Sequence, residues 1–210
     1  MGIFLSVFTL VLIGVVFFVV PPAEGLGDYV RLAFFHIPVA WVSVLAFLLS
    51  AFWGAKYLRR QDLTADAQSA AAAQLGFVFV ILATVSGAVF SKLTWGAYWN
   101  WDPRQTTIFV LLLIYGAYLT LRGAMPPGTV RAKTAAAYSL FAFLTVPFLV
   151  FIIPRLYFSL HPSPVINGTG LAMDGLMLAV LLAALADMTG IFCYLLKRRA
   201  AQLKAEEEKA

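Results

Sequence analysis

Six long runs of uncharged, apolar residues divide this sequence, at about 3–20, 37–57, 70–90, 106–122, 134–153 and 175–196. About 20 such residues cross the hydrocarbon core of a bilayer as a helix, so each run predicts one span. The expected fold is therefore an all-α integral membrane protein of six transmembrane helices, a single polytopic domain over 1–210. Composition agrees: 62% of the 210 residues are apolar, against roughly 45–50% in soluble proteins. A disordered chain, a disulfide scaffold and an ordinary soluble enzyme are excluded. The first run lacks a basic flank, and Pro21-Pro22-Ala23-Glu24 is a poor cleavage site, so it reads as a span and not as a signal peptide.

The breaks between runs carry turn chemistry or charge: Pro21-Pro22, Arg59-Arg60-Gln61-Asp62, Pro126-Pro127-Gly128 and His161-Pro162-Ser163-Pro164. Counting cations by side orients the chain. Lys56, Arg59, Arg60, Arg122, Arg131, Lys133, Lys197, Arg198, Arg199, Lys204 and Lys209 fall on one side, and Arg31, Lys92, Arg104 and Arg155 on the other. Cytoplasmic loops carry the cationic excess, so both termini are expected in the cytoplasm and loops 21–36, 91–105 and 154–174 outside. The net charge of +5 thus serves topology, and no basic stripe suggests nucleic acid. The charged tail 197–210 reads as a solvated helical extension, and the single cysteine, Cys193, as a small packing residue.

The outward loops hold most of the unusual chemistry. Both histidines lie there, His36 before the second span and His161 after the fifth, with four of the five tryptophans on or near the same face. Pro38 is expected in the first turn of its helix, placing His36 at the helix entrance. Between Thr94 and Thr106 the sequence packs Trp95, Tyr98, Trp99, Trp101, Asp102 and Arg104. As a helical turn this segment would align Trp95, Tyr98, Trp99 and Asp102 on one face, with Pro103 ending or kinking it. Interfacial anchoring alone accounts for one or two aromatics, but not for this density.

Two imidazoles beside an aromatic platform suit iron, copper or zinc. Zinc would want three or four protein ligands, and no ligand spacing links Glu24, Asp28, Asp102 and Asp174. A planar macrocycle whose iron takes two axial histidines fits better. Each outward cation lies near an element of this site, and Arg31, Lys92 and Arg155 are candidate contacts for its propionates, with snorkelling to the interface the plainer explanation of any one of them. Asp187 is the one ionisable residue deep in a span; a bond to Thr189 or to a neighbouring helix is the structural expectation, a partner contact the functional one.

The string Trp95-Gly96-x-x-Trp99-x-Trp101-Asp102-x-Arg104-x-Thr106 resembles the tryptophan-rich WWD signature of the haem-handling membrane proteins of cytochrome c biogenesis. With Arg31…His36-x-Pro38 and Leu160-His161-Pro162, the chain is similar to the haem exporter protein C (CcmC) type within that superfamily. The resemblance implies a multi-pass protein of the bacterial inner membrane that holds haem b at the outer face. His36 and His161 would be axial ligands; Trp95, Trp99 and Trp101 would pack near the ring; Gly96 and Tyr98 belong to the same loop; Asp102 and Arg104 would shape it or contact haem and chaperone. It further implies presentation of haem to the chaperone CcmE and association with CcmA, CcmB and CcmD.

Pro103 and Gln105 depart from that pattern toward the Trp-Asp-Pro of the larger CcsA-type cytochrome c synthases. A CcsA-like ligation component is therefore the alternative reading. Those synthases resemble proteins with a further histidine pair inside the membrane, and this chain has two histidines in total. A bis-histidine electron carrier would want His pairs on facing helices, and a solute transporter paired broken helices; neither pattern is present. No Gly-x-x-x-x-Gly-Lys-[Ser/Thr] motif occurs, so any use of ATP belongs to a partner.

Overall fold

The residues that interrupt the apolar runs also set the helix ends. In a computed structural model, residues 2–161, 166–167, 170–171 and 173–209 are described; Pro162, Ser163 and Pro164 lie outside them. Helix α1 covers Gly2–Phe18, α2 Ala33–Arg60, α3 Leu63–Trp95, α4 Pro103–Ala124, α5 Thr129–Pro147, α6 Ile153–Leu156 and α7 Gly175–Glu207. A 3-10 turn, Asp28–Leu32, feeds α2, and a π-helical turn, Phe148–Ile152, joins α5 to α6, so Thr129–Leu156 is one helical rod. Five of these rods are long and apolar enough to cross a membrane; α1, at 17 residues, is shorter. Five of the expected spans fall within helices, and the first runs two residues past the end of α1. Beyond the helices, Ile166–Asn167 pairs antiparallel with Gly170–Leu171 as a two-residue ladder.

Pro38 is not in a first turn. The helix begins at Ala33 behind its 3-10 lead-in, so Pro38 is internal and His36 sits within the helix. The reversal from α2 to α3 needs two residues. Gln61 takes a left-handed conformation (φ 50) and Asp62 caps α3 by accepting from the Thr64 N–H at 2.9 Å. The hairpin closes tightly because α3 presents Ala65, Ser69, Ala70, Ala72, Ala73 and Gly76 to its neighbours, small residues that let helix backbones approach in an apolar medium. A Cβ on Gly76 would fall 2.6 Å from the Phe47 ring, and one on Gly54 3.2 Å from the Ala136 carbonyl.

Around this hairpin the other helices form two groups. The α4–α5 pair packs on one side, centred on Phe47 stacked on Tyr115 at 3.5 Å with Leu111, Val80 and Val146. Helix α7 packs on α1, α2 and α3. Asp187, 4% exposed, accepts from the Thr9 hydroxyl of α1 at 2.7 Å. Of the two structural options for this carboxyl, the neighbouring helix is realised, while Thr189 donates instead to the Leu185 carbonyl.

At the end of the bundle remote from the histidines, Arg122 makes a bidentate pair with buried Asp66 at 2.8 and 2.6 Å. The tail expected to be a solvated extension is docked there. Helix α7 continues to Glu207; Arg199 Nε donates to Gln74 at 2.8 Å, and Glu207 pairs with Arg131 while accepting from the Gly128 N–H. Cys193, expected to pack, is exposed on the surface of α7.

Candidate functional site

Three connections meet at the other end, and a single carboxylate ties two of them. Asp102 caps α4 by accepting from the Arg104 N–H at 2.9 Å, with Pro103 in the first turn, where its missing N–H costs nothing. The same carboxylate accepts from the Leu160 N–H at 2.7 Å, the Ser159 hydroxyl at 2.9 Å and His161 Nδ1 at 3.0 Å. The chain after α6 is thereby bound to the start of α4. Pro103 begins a helix here and does not end one.

The segment between α3 and α4 is not helical. Gly96 turns left-handed (φ 84) and closes α3 after Trp95; Trp101 is also left-handed (φ 56). The expected single aromatic face does not form, since it required helical geometry through Asp102. Polar side chains brace the loop instead. Gln105 accepts from the Asn100 N–H at 2.8 Å and donates to the Tyr98 carbonyl at 3.2 Å; the Asn100 amide donates to Ser91 at 2.7 Å. Trp99 and Trp101 stay in edge-to-face contact at 5.9 Å, but Trp95 leaves them. Trp95 packs edge-on to His161 at 4.8 Å, Trp99 turns into a cleft, and Trp101, 76% exposed, and Tyr98 face outward.

That cleft, about 740 Å³ and open on one side, is lined by both histidines together with Trp99, Arg104, Gln105 and Thr107. His36 reaches it from α2 and His161 from the tethered connection. His36 Nδ1 lies 3.0 Å from Ser86 Oγ, whose one proton goes to the Leu82 carbonyl at 2.7 Å. The hydroxyl therefore accepts, and Nδ1 carries the imidazole hydrogen. At His161 the partner is a carboxylate, which only accepts. Burial pushes the His161 imidazole below the usual range, and the attraction of Asp102 does not offset it. Burial acts upward on Asp102, but the Arg104 and Leu160 N–H groups, His161 and Ser159 outweigh it and hold its carboxyl below the usual carboxylate range. A neutral imidazole thus donates Nδ1–H to an ionised carboxylate. Both histidines are held with hydrogen on Nδ1 and the lone pair on Nε2, the arrangement that hydrogen-bonding partners impose on histidines that bind metals.

The four outward cations separate. Arg104 and Arg155 line the site region with His36. Arg31 is paired with Asp28 at 3.0 Å and contacts the Val20 carbonyl; Lys92 caps α3 by donating to the Gly96 carbonyl at 2.8 Å. Neither lines the histidine cleft or the space beside it. Sequence reasoning missed Ser86, Gln105 as a brace, and Ser159. Ser86 is 50 residues from its histidine, so no local spacing could reveal it; Ser159, two residues before His161, was open to inspection. Among the described residues no cluster of three or more His, Cys, Asp or Glu could hold a bare metal ion.

A family model described as "Heme exporter protein C" matches residues 1–210. The chain is 29% identical over 167 residues to the heme exporter protein C of Bradyrhizobium diazoefficiens, covering 79% of this chain and 63% of that protein. It is 35% identical over 111 residues to the Rhodobacter capsulatus protein of the same name, 50% of this chain and 43% of the other. It is also 36% identical over 87 residues to the cytochrome c biogenesis protein CcsA of Arabidopsis thaliana, 41% of this chain and 26% of that protein. These matched regions span less than two thirds of each relative's length.

Proposed function

The chain belongs to the heme exporter protein C family, and on that premise we propose that it binds haem at one membrane face and hands it on for cytochrome c maturation. The observation that carries this is the matched pair of imidazoles, each with Nδ1 engaged, by Asp102 or Ser86, and each lining one cleft with Trp99 and Arg104. Such a cleft suits a planar apolar ring with two axial ligands and acidic substituents. His36 and His161 are the ligands; Trp95 and Trp99 shield the site. Arg104 and Arg155 meet the propionates, since both line the space beside His36 and Arg31 and Lys92 do not.

Haem b is the cargo, and the protein does no covalent chemistry on it. The cationic excess at the opposite end supports a periplasmic position for the site in the bacterial inner membrane. Tyr98 and Trp101, exposed on the loop, are the surface offered to the chaperone CcmE, and CcmA, CcmB and CcmD are the complex partners the family suggests. The CcsA similarity supports the alternative, a ligation component, over a short shared segment only.

The test is the visible spectrum of the protein purified with ample haem, beside His36→Ala and His161→Ala. A Soret band in the unaltered protein, lost or shifted in both variants, is expected. A band indifferent to both changes overturns the ligand assignment.

A further inference from the structure

A second cavity, larger than the first, adjoins the histidine cleft. A space of about 1410 Å³, part of it open to the surroundings, lies beside α2, α7 and the π-helical turn. His36, Ala40, Arg104 and Val150 line both cavities, so the two adjoin across the side chains of His36 and Arg104. The space exists because α7 packs on α1, α2 and α3 and stands off from the α5 rod. The rod is itself irregular at this level. Pro147 and Pro154 bracket the π turn, and neither can donate a backbone hydrogen bond; π turns recur at functional positions.

The lining has a clear polarity. One end carries Arg104 and Arg155; the remaining walls are apolar, from Ile37, Trp41 and Val44 on α2, Phe151 on the rod and Leu178 to Leu185 on α7. From His36 to Val44 the α2 wall descends about 12 Å at 1.5 Å per residue, into the apolar span. Trp41 and Leu182 are 53% and 56% exposed, so the outer side of the groove faces the surroundings of the bundle, which at this level are lipid.

We propose that this groove is a lateral gate through which haem passes from the bilayer to the histidine cleft, its carboxylates travelling at the depth of Arg155 and Arg104 and its apolar ring over α2, between α7 and the α5 rod. The inference rests on the haem-binding reading above. A flat amphiphile carrying its acids on one edge is what a groove with arginines at one end and apolar walls below accommodates. Sideways travel at constant depth also keeps the carboxylates out of hydrocarbon, where a charge is costly. When haem is absent, lipid chains fill the groove; haem displaces them.

The experiment places a removable plug on the groove wall. Leu182→Cys, in a Cys193→Ser background and reconstituted in lipid nanodiscs, is capped with benzyl methanethiosulfonate. Leu176→Cys, exposed on the same helix but outside the lining, is the control, and Trp41→Cys is a second plug site should Leu182→Cys fold poorly. Haem is offered from phosphatidylcholine vesicles, and growth of the Soret band is followed in time. The plug is expected to slow loading at least tenfold at Leu182 and not at Leu176. Reductive removal of the plug, completed before haem is added, restores the rate, and the final spectrum is unchanged. An unaltered rate with the plug verified by mass, or equal slowing at Leu176, overturns the gate and leaves haem binding standing. No Soret band in the uncapped protein overturns both.

Discussion

Replacing Asp102 by Asn changes one atom and tests the whole site. The carboxylate, 4% exposed, accepts from two backbone N–H groups, one hydroxyl and one imidazole. Asn keeps the shape but turns one oxygen into a donor. Facing Leu160, the new NH2 opposes an N–H and leaves it unpaired; facing Arg104, it abolishes the helix cap and confronts His161 Nδ1–H. Stranding one buried donor costs about 1–3 kcal/mol, and a lost cap about 1 kcal/mol. The imidazole then bonds a neutral carbonyl or reverses its tautomer, placing hydrogen on Nε2, the atom needed for the metal. Loss of such an orienting partner lowers metal affinity roughly 10–100-fold, which is the fall expected for haem. Soret titration of the purified variant measures it, with thermal unfolding of the haem-free protein alongside. Wild-type affinity with an unchanged axial spectrum would refute the argument that Asp102 sets the ligand.

Ser86→Ala should weaken haem binding about tenfold, at the lower end of the range for orienting partners, with little change in thermal stability; equal affinity in the same titration would show that His36 needs no acceptor. Arg122→Ala strands the buried Asp66 carboxylate and should cost about 3–5 kcal/mol, read as a lowered unfolding temperature while the Soret band of the folded protein persists. Gly54→Ala pushes a methyl to 3.2 Å from the Ala136 carbonyl and should cost about 1–3 kcal/mol by overpacking; a neutral or stabilising result would mean α2 and α5 are not closely apposed. Because the folded His161 imidazole titrates below its ordinary value, the unfolded chain takes up the proton first as pH falls below about 6.5. The haem-free protein should therefore lose stability from pH 7.5 to 5.5, and His161→Gln should flatten that slope; an identical slope in the variant would remove His161 as its source.

The spans were legible because lipid imposes a simple composition on them, and the fold follows the six apolar runs closely. What failed was local. The i, i+3, i+4 spacing of the tryptophan-rich segment predicts a helical turn, yet Gly96 and the Asp102 cap interrupt it, and period alone does not see a left-handed glycine. Pro38 looked like a helix start because the 3-10 turn before it has no sequence signature of its own. The density of its charges predicts a solvated tail. Two of those charges, Arg199 and Glu207, instead find partners on the bundle, a pairing visible only once α7 is known to run unbroken past the apolar region. Of the proposed site, the histidines, Asp102 and the arginines were accessible from the pattern of the loops. Ser86 was not, since its role exists only where α2 and α3 lie side by side.

The two histidines ride on different parts of the protein. His36 belongs to the central α2–α3 hairpin; His161 hangs from a short connection whose hydrogen bonds to the start of α4, among the described residues, converge on Asp102. A guest gripped at two points on separable parts is held by the product of both contacts, and its residence time collapses when either moves. Such a holder can be tight at rest and quick to surrender its load, because slackening one strap suffices and nothing at the metal needs to react.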